Sequence, residues 1–310
     1  MRVRPARPVQ SLKSFWKARM SNRSAPWPAP ARLAFPAMLI GSASLAFGPW
    51  MVRLADVGPI ASAFWRLIIA APLLVLLCRM TGQGFGRLSP ALLLWIALGG
   101  LFFALDLMAW HGAIMRTTLG NAVLFGNMTS FIFAAYGFML ARRLPGRMVS
   151  AALLLAAAGT LLLLGRSYQA SPVLLAGDGL ALLAAMFYTV YLIAMSRARG
   201  AIASLPALAL ASVVGAAVLL LAALLLEGRL LPSLWWPLIV LALSRQIFGQ
   251  GLVVFALPHL TPVVAGMCLL IQPVIAATIG WTMFGEHMAA PDLLGAAMVL
   301  VALVLIRWRG

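Results

Sequence analysis

Three charged residues lie well inside long apolar stretches of the chain: Arg66, Asp106 and Arg245. A charged side chain in the middle of an apolar helix costs ~2.5–3.5 kcal/mol on membrane-insertion scales, so it normally faces an interior or pairs with another charge. We expect Asp106 to pair with Arg66 or Arg245. A packing role is favoured for Arg66. Asp106 and Arg245 are candidates for function, because a guanidinium can hold a carboxylate through two parallel hydrogen bonds.

Polar and aromatic residues able to orient a small molecule occur in the same stretches. Trp110 follows Asp106 by four residues and shares its helix face, and Gln246 and Gln250 are related in the same way. The further candidates are Asn121, Tyr188, Tyr191 and Gln272. Any one amide could instead bridge two helices, which is worth ~0.6 kcal/mol in a membrane. Taken together, these residues predict a wet cavity that binds a solute.

Ten apolar stretches must position these residues. They are 34–54, 59–79, 91–113, 117–140, 148–165, 173–195, 203–226, 234–256, 261–284 and 291–308. A hydrocarbon core of ~30 Å needs roughly 20 apolar residues in a helix, and each stretch is that long or nearly so. The chain is 64% hydrophobic and 9% charged, with a mean hydropathy of +1.03. A soluble domain carries about 25% charged residues. The sequence therefore predicts an all-α integral membrane protein with ten transmembrane helices.

The positive charge is distributed unevenly along the chain, which has a net charge of +17. If the basic tail formed by residues 1–32 lies in the cytoplasm, 17 Lys and Arg residues fall on the cytoplasmic side and four on the outer side. Cytoplasmic loops of membrane proteins carry such an excess. We therefore expect a disordered tail and a multi-pass protein of the inner membrane with both termini cytoplasmic. The charge then reflects orientation in a lipid bilayer, and we expect no nucleic-acid partner.

The two halves of the chain correspond when one is shifted by 144 positions. Thr117 then meets Thr261, and Asp106 meets Gln250. The matching segments are 33–168 and 172–308, with five stretches each. An odd number of spans per half gives the halves opposite orientations, which is the inverted-repeat plan of many secondary transporters. The predicted architecture is therefore two inverted five-helix repeats.

Several segments resemble a known family. They are "WRLIIAAPLL" in the second stretch, "WHGAIMRTTLGNAVLFGNMTSFIFAAYG" across the third and fourth, and "FALPHLTPVVAGMCLLIQPVIAATIGWTMFGEHMAAPDLLGAAMVLVAL" in the second half. Over residues 33–308 the chain resembles the EamA-like branch of the drug/metabolite transporter superfamily. Glu286, which ends a helix after Gly285, matches the family's most typical feature, whereas Arg142 stands at the corresponding place in the first half. The resemblance implies ten helices in two inverted repeats, a central cavity lined by the third and eighth, and export or exchange of small metabolites.

These features predict a secondary transporter that works by alternating access. Its expected substrate is a small metabolite, amino acid-like or bearing another carboxylate, with coupling to a proton or a counter-substrate. The alternative is efflux of cationic or lipophilic drugs, which needs Asp106 unpaired. An intramembrane enzyme would need a paired nucleophile and base or two acids at one depth, and a scaffold has no reason to keep mid-membrane charges. No nucleotide-binding or metal-binding motif is present, so we expect no cofactor, no metal and no catalytic residue.

Overall fold

The computed structural model describes residues 32–309, apart from 87, 118, 143, 166–171, 173, 276–277 and 279–289. Its helices are α1 (Ala34–Leu45), α2 (Gly48–Leu54), α3 (Pro59–Met80), α4 (Pro90–Arg116), α5 (Leu119–Gly126), α6 (Met128–Ala141), α7 (Arg147–Gly165), α8 (Leu175–Ala198), α9 (Ser204–Leu226), α10 (Trp236–Leu241), a π-helix (Ala242–Gly249), α11 (Gln250–Ala256), a 3₁₀-helix (Leu257–His259), α12 (Pro262–Leu269) and α13 (Ala290–Arg309). The predicted tail up to residue 31 and Glu286 lie outside the described residues.

Among the described residues, six helices are long and apolar enough to cross a membrane. They are Pro59–Met80, Pro90–Arg116, Asn121–Ala141, Leu175–Ala198, Ser204–Leu226 and Trp236–His259. The other four predicted stretches contain shorter apolar helices: Ala34–Leu45, Arg147–Leu162, Pro262–Ile275 and Ala290–Ile306. Within the described part of the chain the secondary structure is helical, without strands. The predicted all-α membrane class is therefore confirmed.

Two of the predicted stretches are interrupted. The first, 34–54, is divided into α1 and α2 because Pro49 has no N–H with which to continue the hydrogen-bond ladder, and it begins α2 instead. The second, 117–140, is divided at Asn127 into α5 and α6. Both breaks lie next to the cavity described below, so they place helix ends near the middle of the molecule.

The distribution of buried and exposed side chains is the reverse of that in a soluble protein. Arg66 is only 1% exposed, whereas Leu224 and Leu225 are 63% and 73% exposed. Large exposed apolar side chains are costly in water and favourable in hydrocarbon. The molecule therefore presents a surface suited to lipid and keeps a few charged side chains, among them Arg66, Asp106 and Arg245, inside.

Helices of the first half of the chain pack against helices of the second half. The main pairs are α3 with α9, α4 with α8, α7 with α13, α6 with α12, and α1 with both the π-helix and α11. Glycines permit the closest approaches, as in soluble and membrane bundles alike. A Cβ on Gly41 would lie 2.8 Å from the carbonyl oxygen of Gly249, so α1 approaches the π-helix through backbone.

Candidate functional site

A cavity of about 70 Å³ lies between these helices. A single water needs roughly 10–15 Å³ by this measure, so the space suits several waters or a small solute. Six of the residues predicted to form a cavity line it: Asp106, Trp110, Tyr188, Arg245, Gln250 and Gln272. Arg66 lines it as well. The cavity therefore brings together residues from both halves of the chain.

The three mid-membrane charges meet at this cavity. Arg66, Asp106 and Arg245 are 1%, 9% and 7% exposed, and all three line the cavity. No guanidinium nitrogen of the described residues lies within 4.0 Å of that carboxylate. The expected pairing of Asp106 is thus not a direct salt bridge here. The arrangement is a cluster with two positive charges and one acidic group, held apart across the cavity.

Several donors at the cavity have no acceptor within the described part of the chain. Nε and Nη1 of Arg245, Nε of Arg66, Nε1 of Trp110 and Oγ of Ser130 are buried and make no hydrogen bond there. A buried donor left unsatisfied costs about 1–3 kcal/mol, and more when it is charged. These atoms therefore need acceptors that the described residues do not provide.

Aromatic rings support one side of the cavity. The Arg66 guanidinium lies over the Phe103 ring, 5.4 Å from its centroid, which is a cation–π geometry. Phe103 stacks on Tyr191 with centroids 4.5 Å apart, and Tyr191 stacks on Tyr188 at 5.5 Å. Gln250 joins this stack, because its Nε2 donates to the Tyr188 hydroxyl at 3.0 Å. The stack fixes Arg66 and Gln250 without occupying the cavity.

The π-helix presents Arg245 to the cavity. A π-helix carries extra residues per turn and is frequent at functional sites. Ser44 of α1 donates through its hydroxyl to the carbonyl oxygen of Ser244 at 2.7 Å, which ties this segment to α1. Arg245 and Gln246 then point in different directions. Gln246 donates to the Ser212 hydroxyl at 2.9 Å and lies away from the cavity.

Two further predicted cavity residues are also placed elsewhere. Asn121 donates through Nδ2 to both oxygens of Asp178, at 3.0 and 3.1 Å. Thr117 donates to the same carboxylate at 2.6 Å. Tyr191 lies behind Tyr188, with its hydroxyl 3.4 Å from the Gln250 Oε1. Sequence reasoning could not separate these positions, because a polar residue on an apolar helix looks the same whether it binds a solute or another helix.

Carboxylates at helix ends are fully engaged. The Glu227 oxygens accept from the backbone N–H groups of Ile60 and Ala61 at 2.9 and 2.8 Å, and so cap the N-terminus of α3. Asp56 accepts from the N–H groups of Ser233 and Leu234. Desolvation raises the pKa of the Asp56 carboxyl, but these hydrogen bonds outweigh it and lower the pKa below its ordinary value. From the sequence, Glu227 and Asp56 are recognisable only as charged residues outside the apolar stretches. Their hydrogen-bond partners could not be read from it.

The side chains that line the cavity are suited to binding a polar solute. Within the described residues, no group of three or more His, Cys, Asp and Glu side chains is placed to hold a metal ion. Asp106 is the acid at the cavity, and its neighbours there are arginines, amides and aromatic rings. This set can hold a small polar solute by charge and hydrogen bonds.

The comparisons with known proteins agree with a membrane transporter. Residues 175–308 match the model of the EamA-like transporter family. No curated protein matches the chain. One solved structure, described as "Crystal structure of protein", is similar with a TM-score of 0.74 and 18% identity. The match covers 91% of this chain and 99% of that one, which shows a shared fold over most of the chain.

Proposed function

We propose that this protein is a secondary transporter that exports or exchanges a small carboxylate-bearing metabolite, amino acid-like or related, across the inner membrane. The observation that carries the proposal is Arg245, whose Nε and Nη1 are buried at the cavity without an acceptor among the described residues. A planar guanidinium suits a carboxylate, which accepts two parallel hydrogen bonds from it. A bound carboxylate would therefore satisfy donors that find no acceptor among the described residues.

The charge at the cavity favours the same class of solute. Arg66 and Arg245 carry two positive charges, and Asp106 carries one negative charge when ionised. The sum is then +1, and a carboxylate entering the cavity neutralises it. A buried net charge is unfavourable in a low-dielectric interior, so a solute of opposite sign gains binding energy from this excess.

Alternating access requires two halves that exchange roles, and we propose that residues 33–168 and 172–308 are inverted repeats. The helix pairing supports this. With a shift of 144 residues, α3 corresponds to α9 and α7 to α13, and these are packing partners. Under the same shift, α4 corresponds to the segment that contains the π-helix and α11, and α8 corresponds to the segment that contains α1 and α2. The counterpart of the pair α4–α8 is therefore the packing of α11 on α1. A two-fold exchange of the halves therefore relates the pairs α3–α9 and α7–α13 to themselves and the pair α4–α8 to the packing of α11 on α1.

A pair of helix caps obeys the same relation. Gln83, which follows α3, accepts from the N–H of Leu205 at the start of α9, at 3.3 Å. Glu227, which follows α9, accepts from the N–H of Ala61 at the start of α3. Residues 83 and 61 become 227 and 205 after the shift of 144. Each of the two helices is thus capped by the residue that follows the other one.

The orientation follows from charge. With both termini cytoplasmic and ten crossings, most Lys and Arg residues lie on the cytoplasmic side. The N-terminus of α3 and its cap Glu227 then lie on the outer side, and Gln83 lies on the cytoplasmic side. Coupling to a proton or a counter-substrate would supply the driving force, because the matched family is one of transporters and the chain carries no nucleotide-binding motif.

A second candidate function is efflux of cationic compounds. It is favoured by one observation: the Asp106 carboxylate faces the cavity without a guanidinium nitrogen of the described residues within 4.0 Å. Aromatic residues such as Trp110 and Tyr188 would suit a cation. The two arginines weigh against this candidate, because they repel a cation from the same space.

A comparison of metabolites tests the proposal. The medium of cells that make the protein is compared with that of cells carrying the empty vector, and we expect carboxylate-bearing solutes to accumulate. A matched pair of variants gives the control. Gln250→Met removes an amide at the cavity and should reduce the accumulation severalfold, whereas Gln246→Met removes an amide bonded to Ser212 and should change it little. Accumulation of organic cations without a carboxylate would favour drug efflux instead.

A further inference from the structure

Gly48, at the start of α2, is in direct contact with Arg245. A Cβ on Gly48 would lie 2.0 Å from Cδ, 2.3 Å from Nε and 2.1 Å from Nη1 of the arginine. Real Cβ contacts are not found below 3.0 Å, so any other residue at position 48 would displace the arginine. The side chain of Arg245 therefore packs directly against the backbone at Gly48. Only glycine leaves space for it there.

Packing, and not hydrogen bonding, fixes the position of the Arg245 side chain. Its Nε and Nη1 make no hydrogen bond within the described residues. The backbone on both sides of the contact is held in place. The Ser44 hydroxyl donates to the carbonyl oxygen of Ser244, and the Leu45 side chain fills the position of a Cβ on Gly249, 2.8 Å from it. The backbone under the guanidinium is thus held firmly, whereas Nε and Nη1 of the guanidinium have no polar partner among the described residues.

We infer that Gly48 is a positioning residue for substrate binding, which acts by giving the Arg245 guanidinium the space from which it faces the cavity. This inference rests on the proposed role of Arg245 in holding a carboxylate. The break between α1 and α2 contributes as well, because it brings the first residue of α2, a glycine, to the depth of the π-helix. Gly48→Ala keeps the charge of Arg245 but moves the guanidinium from its site.

The test is a cycle of variants measured for thermal stability in detergent: wild type, Gly48→Ala, Arg245→Ala and the double variant. In the wild-type background Gly48→Ala should lower the melting temperature, because a methyl group enters an occupied space. In the Arg245→Ala background the same change should be neutral or stabilising, because the space is vacant and alanine is a better helix former than glycine. Gly251→Ala, where a Cβ would meet nothing within 4 Å, is the control.

Transport gives the second measurement. Proteoliposomes are loaded with a mixture of radiolabelled L-amino acids, and efflux is followed for wild type, Gly48→Ala and Gly251→Ala. Losing one charge-assisted contact should raise KM about tenfold or more in Gly48→Ala with little change in the maximal rate, because the contact is made in the bound state. Gly251→Ala should match wild type.

The outcomes separate the inference from the function on which it rests. An equal loss of stability from Gly48→Ala with and without Arg245 would overturn the positioning role. An unchanged KM in Gly48→Ala would also overturn it. If the wild-type protein moves none of the amino acids, the amino acid-like substrate class fails, and the stability cycle alone decides whether Gly48 positions Arg245.

Discussion

Two sets of charged residues in this molecule differ in their hydrogen bonding. The helix-end carboxylates, Asp56, Asp178 and Glu227, each accept two or more hydrogen bonds from the protein. Asp178 does so while buried, and it joins the end of α4 to the start of α8. The hydrogen bonds that these carboxylates accept join helices to one another.

The mid-membrane charges, Arg66, Asp106 and Arg245, lie around the cavity, and Nε of Arg66 and Nε and Nη1 of Arg245 make no hydrogen bond with the described part of the chain. Their burial is as deep as that of Asp178, so exposure does not explain the difference. An unsatisfied buried charge is costly, and this cost is the physical reason for proposing that the second set binds a solute. Under that proposal, the comparison is between charges that stabilise the fold and charges that hold a substrate.

The largest expected effect on folding is that of Asp178→Ala. Thr117 and Asn121 would lose a charged acceptor, and hydrogen bonds to charged groups are worth ~1.5–3 kcal/mol each. We expect a loss of about 3–5 kcal/mol, a large share of the ~5–15 kcal/mol that stabilises a typical protein. Folded protein after detergent extraction, measured by size-exclusion chromatography, should fall sharply. Asp106→Asn is the matched variant and should preserve most of the folded protein. Equal losses in both would erase the distinction between the two sets.

A smaller effect is expected at the cap of α3. Glu227→Ala removes the acceptors of the Ile60 and Ala61 N–H groups, and loss of a cap costs about 0.5–2 kcal/mol. Hydrogen exchange should become faster in the first turn of α3. Gly58→Ala should act in the same direction, because its Cβ would lie 2.3 Å from the Glu227 Cδ. Gly228→Ala, whose Cβ would meet nothing within 4 Å, is the control. Unchanged exchange in both Glu227→Ala and Gly58→Ala would show that the cap does not hold α3.

The smallest effect is expected for Arg229→Ala. Arg229 forms a salt bridge of 3.2 Å with Asp56, but its side chain is 58% exposed. Exposed ion pairs contribute little and are screened by salt. The melting temperature should be within error of wild type, and any difference should vanish when salt is raised. A large, salt-resistant loss would mean that the helix-end carboxylates depend on this partner.

Much of the fold follows from hydropathy, because the thickness of a bilayer fixes the length of each helix. Six predicted stretches are long apolar helices in the structure, and the other four contain shorter ones. Hydropathy did not reveal the break at Ala46–Phe47, for which Pro49 was the available sequence signal. The break at Asn127 and the π-helix had no comparable signal. The π-helix depends on contacts with α1, such as Ser44 with Ser244, which lie 200 residues apart in the sequence.

The candidate site was predictable in part for a related reason. Arg66, Asp106 and Arg245 stand out because a charge is rare in an apolar stretch. Asn121 does not reveal its partner, since Asp178 lies 57 residues away and meets it only in the folded protein. Gly48 gave no signal, because the sequence does not tell a glycine that makes room for an arginine from one that packs two helices.

The central claim is that Arg245 serves the solute and not the fold, and transport per folded molecule tests it most directly. Wild type, Arg245→Ala and Arg245→Lys are quantified by size-exclusion chromatography and assayed for export of the solute identified by metabolite comparison. We expect folded protein near the wild-type amount in all three. Transport should be abolished in Arg245→Ala and clearly reduced in Arg245→Lys, which keeps the charge but loses the two-pronged geometry. Full transport per folded molecule by Arg245→Ala would contradict the claim.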